Sequence, residues 1–170
     1  MKKLIKKIEG TKNYYISNFG EVYSQQKDGE LKQMKTAYNN AGYEYVGLND
    51  NKFHFIAELV FETFMGKIPE GYQINHKNSN RKDNRLSNIQ LCTRSENCRL
   101  KEPSLIPSFT IKNNGKYYMT FTMFGGDKIY GTYDDIDSML KDFEVLRNTK
   151  IKQQSQLIKK IDKRTKELYN

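Results

Sequence analysis

The stretch 74-INHKNSNRKDNRLSNIQLCTRSEN-97 holds six asparagines and one of the two histidines of the chain. Asparagine is depleted in strands, disfavoured inside helices and tolerant of turn geometries, so a polar loop is the simplest interpretation. The alternative is a catalytic loop that gathers an imidazole and several amide oxygens. The residues on both sides of the loop help to choose between the two.

Short β-prone segments flank the loop and predict a strand, a loop and a returning strand. The strands are expected at 72–75 and 89–92, with an irregular polar segment over 77–87. Thr93 and Glu96 then have the spacing of a capping box, which predicts a helix that begins directly after Thr93. The local plan is therefore strand, loop, strand, helix.

This plan places four polar side chains so that they can meet around one point. Asn75 and His76 end the first strand, Asn88 starts the second, and Asn97 lies on the helix. A histidine can serve as a general base near neutral pH, and amide oxygens are hard ligands suited to Mg²⁺ or Mn²⁺. Hydrolysis of a phosphodiester uses both, and the substrate phosphate would complete a cation site that two neutral ligands alone make weak.

The distribution of charge indicates a polyanionic partner. The 170 residues carry a formal net charge of +9, with five lysines against one acid over 1–12 and seven basic residues against two acids over 150–170. The loop region 77–101 adds seven basic residues against two acids. Three basic clusters favour a nucleic acid as the polyanionic partner. A membrane partner is disfavoured, because no apolar run approaches the ~20 residues of a membrane span and no segment pairs a basic face with a broad apolar one.

The cysteines favour a reduced protein in the cytoplasm. Cys92 and Cys98 are spaced as C-x5-C, which is neither a redox pair nor a zinc motif, and 1-MKKLIKKIEG-10 lacks the apolar stretch of a signal peptide. Cys92 is expected to be buried in the returning strand. Cys98 is expected to contribute to packing.

The N-terminal third reads as β-structure followed by a helix. Residues 13–55 alternate β-prone runs with polar turns, and 56–64 have apolar residues at helical spacing. His54, on an apolar strand beside this helix, is expected to be a core histidine with its polar atoms satisfied.

The C-terminal part begins after a boundary at Pro103 and Pro107. Three strands are expected at 108–112, 117–124 and 128–132, and then a helix over 136–146 with Asp134 or Asp135 as its N-cap. Residues 148–170 form a basic segment with a thin apolar seam. This segment is compatible with a docked helix, a dimer seam or a frayed tail, so both a monomer and a homodimer remain open.

The segment 75-NHKNSNRKDNRLSNIQL-91, followed by Thr93 and Asn97, resembles the HNH (ββα-metal) endonucleases of the phage and intron homing branch. Upstream, 53-FHFIAELVFETF-64 resembles the segment that precedes the motif in this branch. The resemblance implies that His76 is the general base. It also implies a Mg²⁺ or Mn²⁺ ion held by Asn75 and Asn97.

The same resemblance gives roles to two further asparagines and contains one departure. Asn88 would tie the loop down and help to orient the histidine, and Asn84 would match a structural loop position. Asn78 and Asn80 keep the simpler interpretation as turn residues. The departure is at Asn75, where an Asp is common in the family, so weaker metal binding is expected.

Two further segments resemble modules that accompany such nucleases. Residues 8–24 resemble a nuclease-associated N-terminal module, and 115–140 resemble the three-stranded DNA-binding domain of ethylene-response (Apetala-type) factors. The expected fold is α+β, with a central ββα-metal nuclease core between a small β-rich N-terminal module and a β-β-β-α C-terminal module. The expected modules are 1–52, 53–102, 106–148 and a basic helix or tail at 149–170.

The expected function is a metal-dependent endonuclease that cuts double-stranded DNA and leaves 5′-phosphate and 3′-hydroxyl ends. The alternative is an HNH-derived DNA-binding protein with weak or no catalysis, and a more distant one is an RNA-binding or assembly protein. Six basic residues around the loop are expected to contact phosphates: Lys77, Arg81, Lys82, Arg85, Arg94 and Arg99.

Overall fold

Polar turns divide residues 5–55 into seven short strands. The computed structural model describes residues 2–100, 107–111 and 114–169. The strands are β1 (Ile5–Lys7), β2 (Tyr14–Ser17), β3 (Val22–Gln25), β4 (Leu31–Gln33), β5 (Ala37–Tyr38), β6 (Glu44–Gly47) and β7 (Phe53–Phe55). They form two antiparallel sheets, in the orders β1-β2-β3-β4 and β5-β6-β7. The predicted β2–β3 and β6–β7 hairpins are confirmed, whereas β1, β4 and β5 were not predicted.

The predicted strand–loop–strand–helix segment is also confirmed. Helix α1 spans Ile56–Phe64, and two strands follow it, β8 (Tyr72–His76) and β9 (Ile89–Thr93). The strands pair antiparallel, and His76 lies opposite Ile89 at the end next to the loop. Helix α2 (Arg94–Leu100) starts directly after β9, where the capping pattern predicted a helix start.

One apolar core holds the N-terminal strands, α1 and the β8–β9 ribbon together. Helix α1 buries Ile56, Val60 and Phe61, because these residues lie on one face of the helix. They belong to the same cluster as residues from β2, β3, β6 and β9, namely Ile16, Val22, Val46, Ile89 and Leu91. The loop between β8 and β9 is therefore carried by a packed scaffold.

The C-terminal part is a three-stranded sheet followed by a long helix. Its strands are β10 (Ser108–Ile111), β11 (Tyr117–Thr122) and β12 (Lys128–Tyr133), paired antiparallel in that order. Helix α3 spans Ile136–Tyr169, and Asp135 caps it by accepting a hydrogen bond from the Ser138 amide at 2.7 Å. Mixed strands and helices confirm the α+β class. Three residues used in these predictions lie outside the described residues: Pro103 of the boundary, Lys112 of the first strand and Asn113 of the turn after it.

The packing of the chain divides it into two compact units, and the predicted module bounds stay predictions. One unit contains Met1–Arg94 with Asp162–Asn170, and the other contains Ser95–Ile161. Helix α3 runs through position 148 without a break, although a boundary was expected there. Its last turns belong to the first unit, where Arg164 bonds to the Leu91 carbonyl. Of the three alternatives for residues 148–170, the docked helix describes this end of α3.

Replacing Tyr169 with alanine is expected to lower the free energy of unfolding by about 2–3 kcal/mol, since a partly buried aromatic ring is lost. The ring packs edge-on against Phe61 at 5.4 Å between centroids, and the hydroxyl donates to the Lys67 carbonyl at 2.7 Å. Urea unfolding measures the change. Leu168→Ala, at the exposed neighbouring position, is the matched control, and an equal loss in both variants would contradict the docking of this turn.

Candidate active site

Asx turns shape the loop between β8 and β9. Asn78 accepts a hydrogen bond from the Asn80 amide at 3.0 Å, and Asn80 accepts one from the Lys82 amide at 3.1 Å. Ser79, between the two asparagines, has a φ of 59°, in the left-handed region. Asn78 and Asn80 are therefore turn residues, as the simpler interpretation predicted.

Asn88 clamps the two ends of this loop together. Its side-chain nitrogen donates to the Asp83 carbonyl at 2.7 Å and to the Asn78 side chain at 2.9 Å. Its side-chain oxygen accepts from the Asn78 amide at 3.2 Å, and its backbone carbonyl accepts from the Lys77 amide at 2.8 Å. These bonds fix the loop backbone directly after His76. A catalytic role for Asn88 stays a prediction.

His76 is buried at the end of β8, with 6% of its surface exposed. Its Nε2 lies 3.0 Å from the side-chain oxygen of Asn84, which is itself 3% exposed. The Tyr43 ring lies beside the imidazole, with 6.3 Å between the ring centroids. The resemblance implied a structural loop position for Asn84 and a role in orienting the histidine for Asn88. In the structure, Asn84 is the asparagine that contacts the imidazole.

The contact between Asn84 and His76 continues into the second N-terminal sheet. The Asn84 side-chain nitrogen donates to Glu44 Oε2 at 2.8 Å, and the Thr36 hydroxyl donates to Glu44 Oε1 at 2.5 Å. Glu44 lies on β6, forty positions before Asn84. Sequence reasoning missed Glu44, because a single carboxylate in a β-prone run carries no motif. Its placement among tyrosines, 43-YEY-45, was the one available signal.

Asn75 has the chemistry expected of a cation ligand. It lies on β8 beside His76, is half-buried, and its side-chain amide makes no hydrogen bond within the described part of the chain. Gln90, directly opposite on β9, is fully buried, and both polar atoms of its side chain lack partners there. An amide oxygen without a partner among the described residues fits a hard divalent cation.

The other elements of the expected cation site are less complete. Asn97 lies in the first turn of α2 and is half-buried, and its place as the second ligand stays a prediction. Over residues 2–100, 107–111 and 114–169, no three His, Cys, Asp or Glu side chains come together in a way that would hold a metal.

Most of the basic side chains of the loop already have partners. Lys77 pairs with Asp162 at 2.6 Å, and Arg85 makes two hydrogen bonds of 2.6 Å to Asp83. Arg81 stacks on Tyr43, and Lys82 lies over Tyr38. Contact with phosphate would require Lys77 and Arg85 to exchange these partners. Two further candidates, Arg94 and Arg99, are exposed on α2. Phosphate contacts by all six basic residues stay predictions.

Three expectations about neighbouring residues are tested by burial. The side chain of His54 is 29% exposed and bonds to Asp50 at 2.9 Å, so the prediction of a core histidine is wrong, although its Nε2 is satisfied. Cys92 is buried in β9, as predicted. Cys98 is exposed, so the prediction that it contributes to packing is wrong.

Replacing Asp83 with asparagine is expected to destabilise the protein at pH 7 and to have a smaller effect near pH 2. Hydrogen bonds from Arg85, and then from Asn78, hold the pKa of Asp83 below its ordinary value of 3.8. The stabilisation is therefore complete above about pH 4 and is lost as the pH falls through the lowered pKa. We expect a loss of about 1 kcal/mol at pH 7, measured by urea unfolding at both pH values. A loss of the same size at both would contradict the pairing.

Comparison with known proteins agrees with this architecture. Residues 55–99 match the HNH endonuclease family model, and residues 6–49 match the NUMOD4 motif. Two uncharacterized HNH endonucleases of Acanthamoeba polyphaga mimivirus are similar. One is 38% identical over 96 residues, which are 53% of this chain and 23% of the relative. The other is 27% identical over 136 residues, which are 76% of this chain and 40% of the relative. The chain thus spans less than half the length of these relatives.

A solved structure has a similar fold. It is described as DNA binding and cleavage by the HNH homing endonuclease I-HmuI, and it matches with a TM-score of 0.51 over 86% of each chain at 24% identity. At this identity the likeness concerns the fold alone. No helix in the described part of the protein has the length and apolarity to span a membrane.

Proposed function

We propose that the chain is a metal-dependent DNA endonuclease of the homing type, since residues 55–99 match the HNH endonuclease family model. The observation that carries the proposal is the buried His76 at the end of β8, next to Asn75, whose side-chain amide has no hydrogen-bond partner among the described residues. His76 would accept a proton from the water that attacks the phosphate. The bond between phosphorus and the 3′-oxygen would break, and the 3′-oxygen would take up a proton from solvent, which leaves 5′-phosphate and 3′-hydroxyl ends.

The same proposal gives Asn75 and Asn97 the role of holding Mg²⁺ or Mn²⁺. Such an ion would polarise the phosphate and stabilise the departing oxygen. The amides are neutral, so the substrate phosphate would supply the negative charge of the site. Asn88 would hold the loop backbone that follows His76 in place through its bonds to Asp83 and Asn78.

DNA binding would use the basic clusters and the C-terminal sheet. Strand β11 buries Met119 and Phe121, so alternate residues of this strand point to the opposite face of the sheet. Tyr130 and Thr132 on β12 lie on that opposite face, since they pair with Thr120 and Tyr118. We propose that this polar face contacts duplex DNA, as the resemblance to the ethylene-response factor domain implies.

A second candidate function is DNA binding without cleavage. It is favoured by the neutral side chain of Asn75. Such a protein would bind duplex DNA with the same basic surfaces. It would not depend on a divalent cation.

Incubation of supercoiled plasmid with the full chain tests the two candidates. The enzyme proposal expects nicking in Mg²⁺ or Mn²⁺ but not in EDTA, and it expects the nicks to be sealed by DNA ligase, which requires 5′-phosphate and 3′-hydroxyl ends. Binding without nicking in either metal would contradict cleavage and favour the second candidate. Stronger binding to RNA than to duplex DNA would contradict both.

A further inference from the structure

We propose that Glu44 is a positioning residue that sets which nitrogen of His76 acts as the base. Glu44 belongs to the segment that matches the NUMOD4 motif, and it reaches His76 only through Asn84. The catalytic part of this inference rests on the proposed nuclease function. The structural part, which concerns the proton on the imidazole, does not.

The first step is the orientation of the Asn84 amide. A carboxylate accepts hydrogen bonds and donates none, so the Asn84 group that faces Glu44 Oε2 at 2.8 Å must be the NH₂ group. The amide oxygen is then turned towards His76. The Thr36 hydroxyl donates to the other oxygen of Glu44 at 2.5 Å and so holds the carboxylate in place.

The second step is the proton on the imidazole. The Asn84 oxygen lies 3.0 Å from Nε2 and can only accept, so Nε2 must carry the hydrogen. A neutral imidazole has one N–H, so Nδ1 keeps its lone pair. No residue in the described part of the chain makes a hydrogen bond to Nδ1. Nδ1 is therefore the nitrogen that is free to accept a proton from water.

The reverse arrangement shows why the carboxylate matters. If the Asn84 amide turned by 180°, its oxygen would face the Glu44 oxygen and its NH₂ group would face Nε2. The oxygens of Asn84 and Glu44, both acceptors, would then oppose each other, and such a contact is costly at Asn84, which is 3% exposed. Glu44 thus selects one amide orientation and, through it, one tautomer.

The backbone around Asn84 leaves it little freedom to escape this orientation. Gly20, in the turn between β2 and β3, has a φ of +93°, and a Cβ built on it would lie 3.0 Å from the Asn84 Cβ. The Leu86 amide donates to the Asn18 carbonyl at 2.9 Å. The first N-terminal sheet therefore packs directly on the loop that carries Asn84. The N-terminal segment would complete the active site as well as support it.

The tautomer can be measured directly by NMR on the full chain labelled with ¹⁵N. The chain has two histidines, so a His54→Gln variant assigns the ring signals of His76. At a pH where the imidazole is neutral, the two nitrogen shifts identify the protonated nitrogen. We expect the Nε2–H form in the wild type and a mixture of both forms in Glu44→Met, which removes the acceptor. An Nδ1–H wild type, or no change in Glu44→Met, would overturn the inference.

Nicking rates provide the second readout. Glu44→Met is expected to lower the rate by about tenfold or more at unchanged DNA affinity, which is the effect of losing a hydrogen bond to a charged group. Glu44→Gln keeps an oxygen that can accept from Asn84, so it should stay within about threefold of the wild type. Glu30→Met, which removes an exposed carboxylate from the turn between β3 and β4, is the matched control. A loss in Glu30→Met as large as in Glu44→Met would overturn the specific role.

A paired substitution keeps the inference testable if Glu44→Met does not fold. Asn84→Asp alone places a second carboxylate against Glu44 and should lower the nicking rate by at least about tenfold. Combined with Glu44→Gln, the amide at position 44 donates to the carboxylate at position 84, which still accepts from Nε2. We expect this double variant to recover most of the nicking rate and the Nε2–H tautomer. No recovery would overturn the proposed effect of Glu44 on His76 through Asn84. A wild type with the expected tautomer but no nicking would instead overturn the proposed function.

Discussion

Replacing His76 with alanine is expected to lower the rate of metal-dependent nicking by about a hundredfold to ten-thousandfold, the usual contribution of a general base. The remaining imidazole, on His54, bonds to Asp50 on another part of the surface and does not contact Asn84. The measurement is the single-turnover rate on a supercoiled plasmid in Mg²⁺. Affinity for the same DNA in EDTA should be unchanged, because the imidazole is 6% exposed and offers little contact to the backbone of DNA.

The second histidine provides the matched control for this prediction. His54→Ala removes the same side chain from the same unit, from a position where it is 29% exposed. It should leave the nicking rate within about twofold, since surface substitutions away from a site have small effects. Equal activity of His76→Ala and the wild type would remove His76 from the role of base. A large loss in His54→Ala alone would transfer that role to the other histidine.

The local structure around the site was predictable because its signals lie within a few residues. Helical spacing placed α1 at 56–64, and the β-prone runs and the capping pattern placed β8, β9 and the start of α2. Strands β4 and β5 were missed because they are three and two residues long and their residues are exposed, which leaves no alternation to detect. No proline or glycine marks position 148, and α3 continues through it.

Contacts between distant segments were not predictable in the same way. The strand–loop–strand–helix plan indicated that Asn75, His76, Asn88 and Asn97 could meet, and the resemblance assigned Asn84 to a structural loop position. That Asn84 rather than Asn88 bonds to the imidazole depends on the path of the loop, and that path is set by packing against Gly20 and Asn18. The partnership with Glu44 depends on how two sheets meet, forty positions apart in the chain.

The neutral residue at position 75 leads to the second large prediction. Asn75→Asp is expected to lower the Mg²⁺ concentration for half-maximal nicking by about tenfold or more. A carboxylate adds a full negative charge to a ligand set that otherwise contains amide oxygens, and cation affinity rises with the charge of the ligands. The substitution needs little rearrangement. The Asn75 side-chain amide has no hydrogen-bond partner among the described residues, so a carboxylate at this position would break no such bond. The measurement is a Mg²⁺ titration of the nicking rate, together with direct binding of Mn²⁺ to the free protein.

Asn80→Asp separates this effect from a general change of charge. Asn80 lies in the same loop and accepts the Lys82 amide through its side-chain oxygen, a bond that an aspartate also makes. This variant adds the same charge and should leave the Mg²⁺ requirement within about twofold, since an exposed charge away from the cation is screened by solvent. Equal shifts in both variants would mean that the cation responds to the net charge of the loop and is not held at position 75. No shift in Asn75→Asp, with Mn²⁺ binding also unchanged, would place the cation elsewhere and leave the neighbouring His76 without the Lewis acid that the proposed reaction needs.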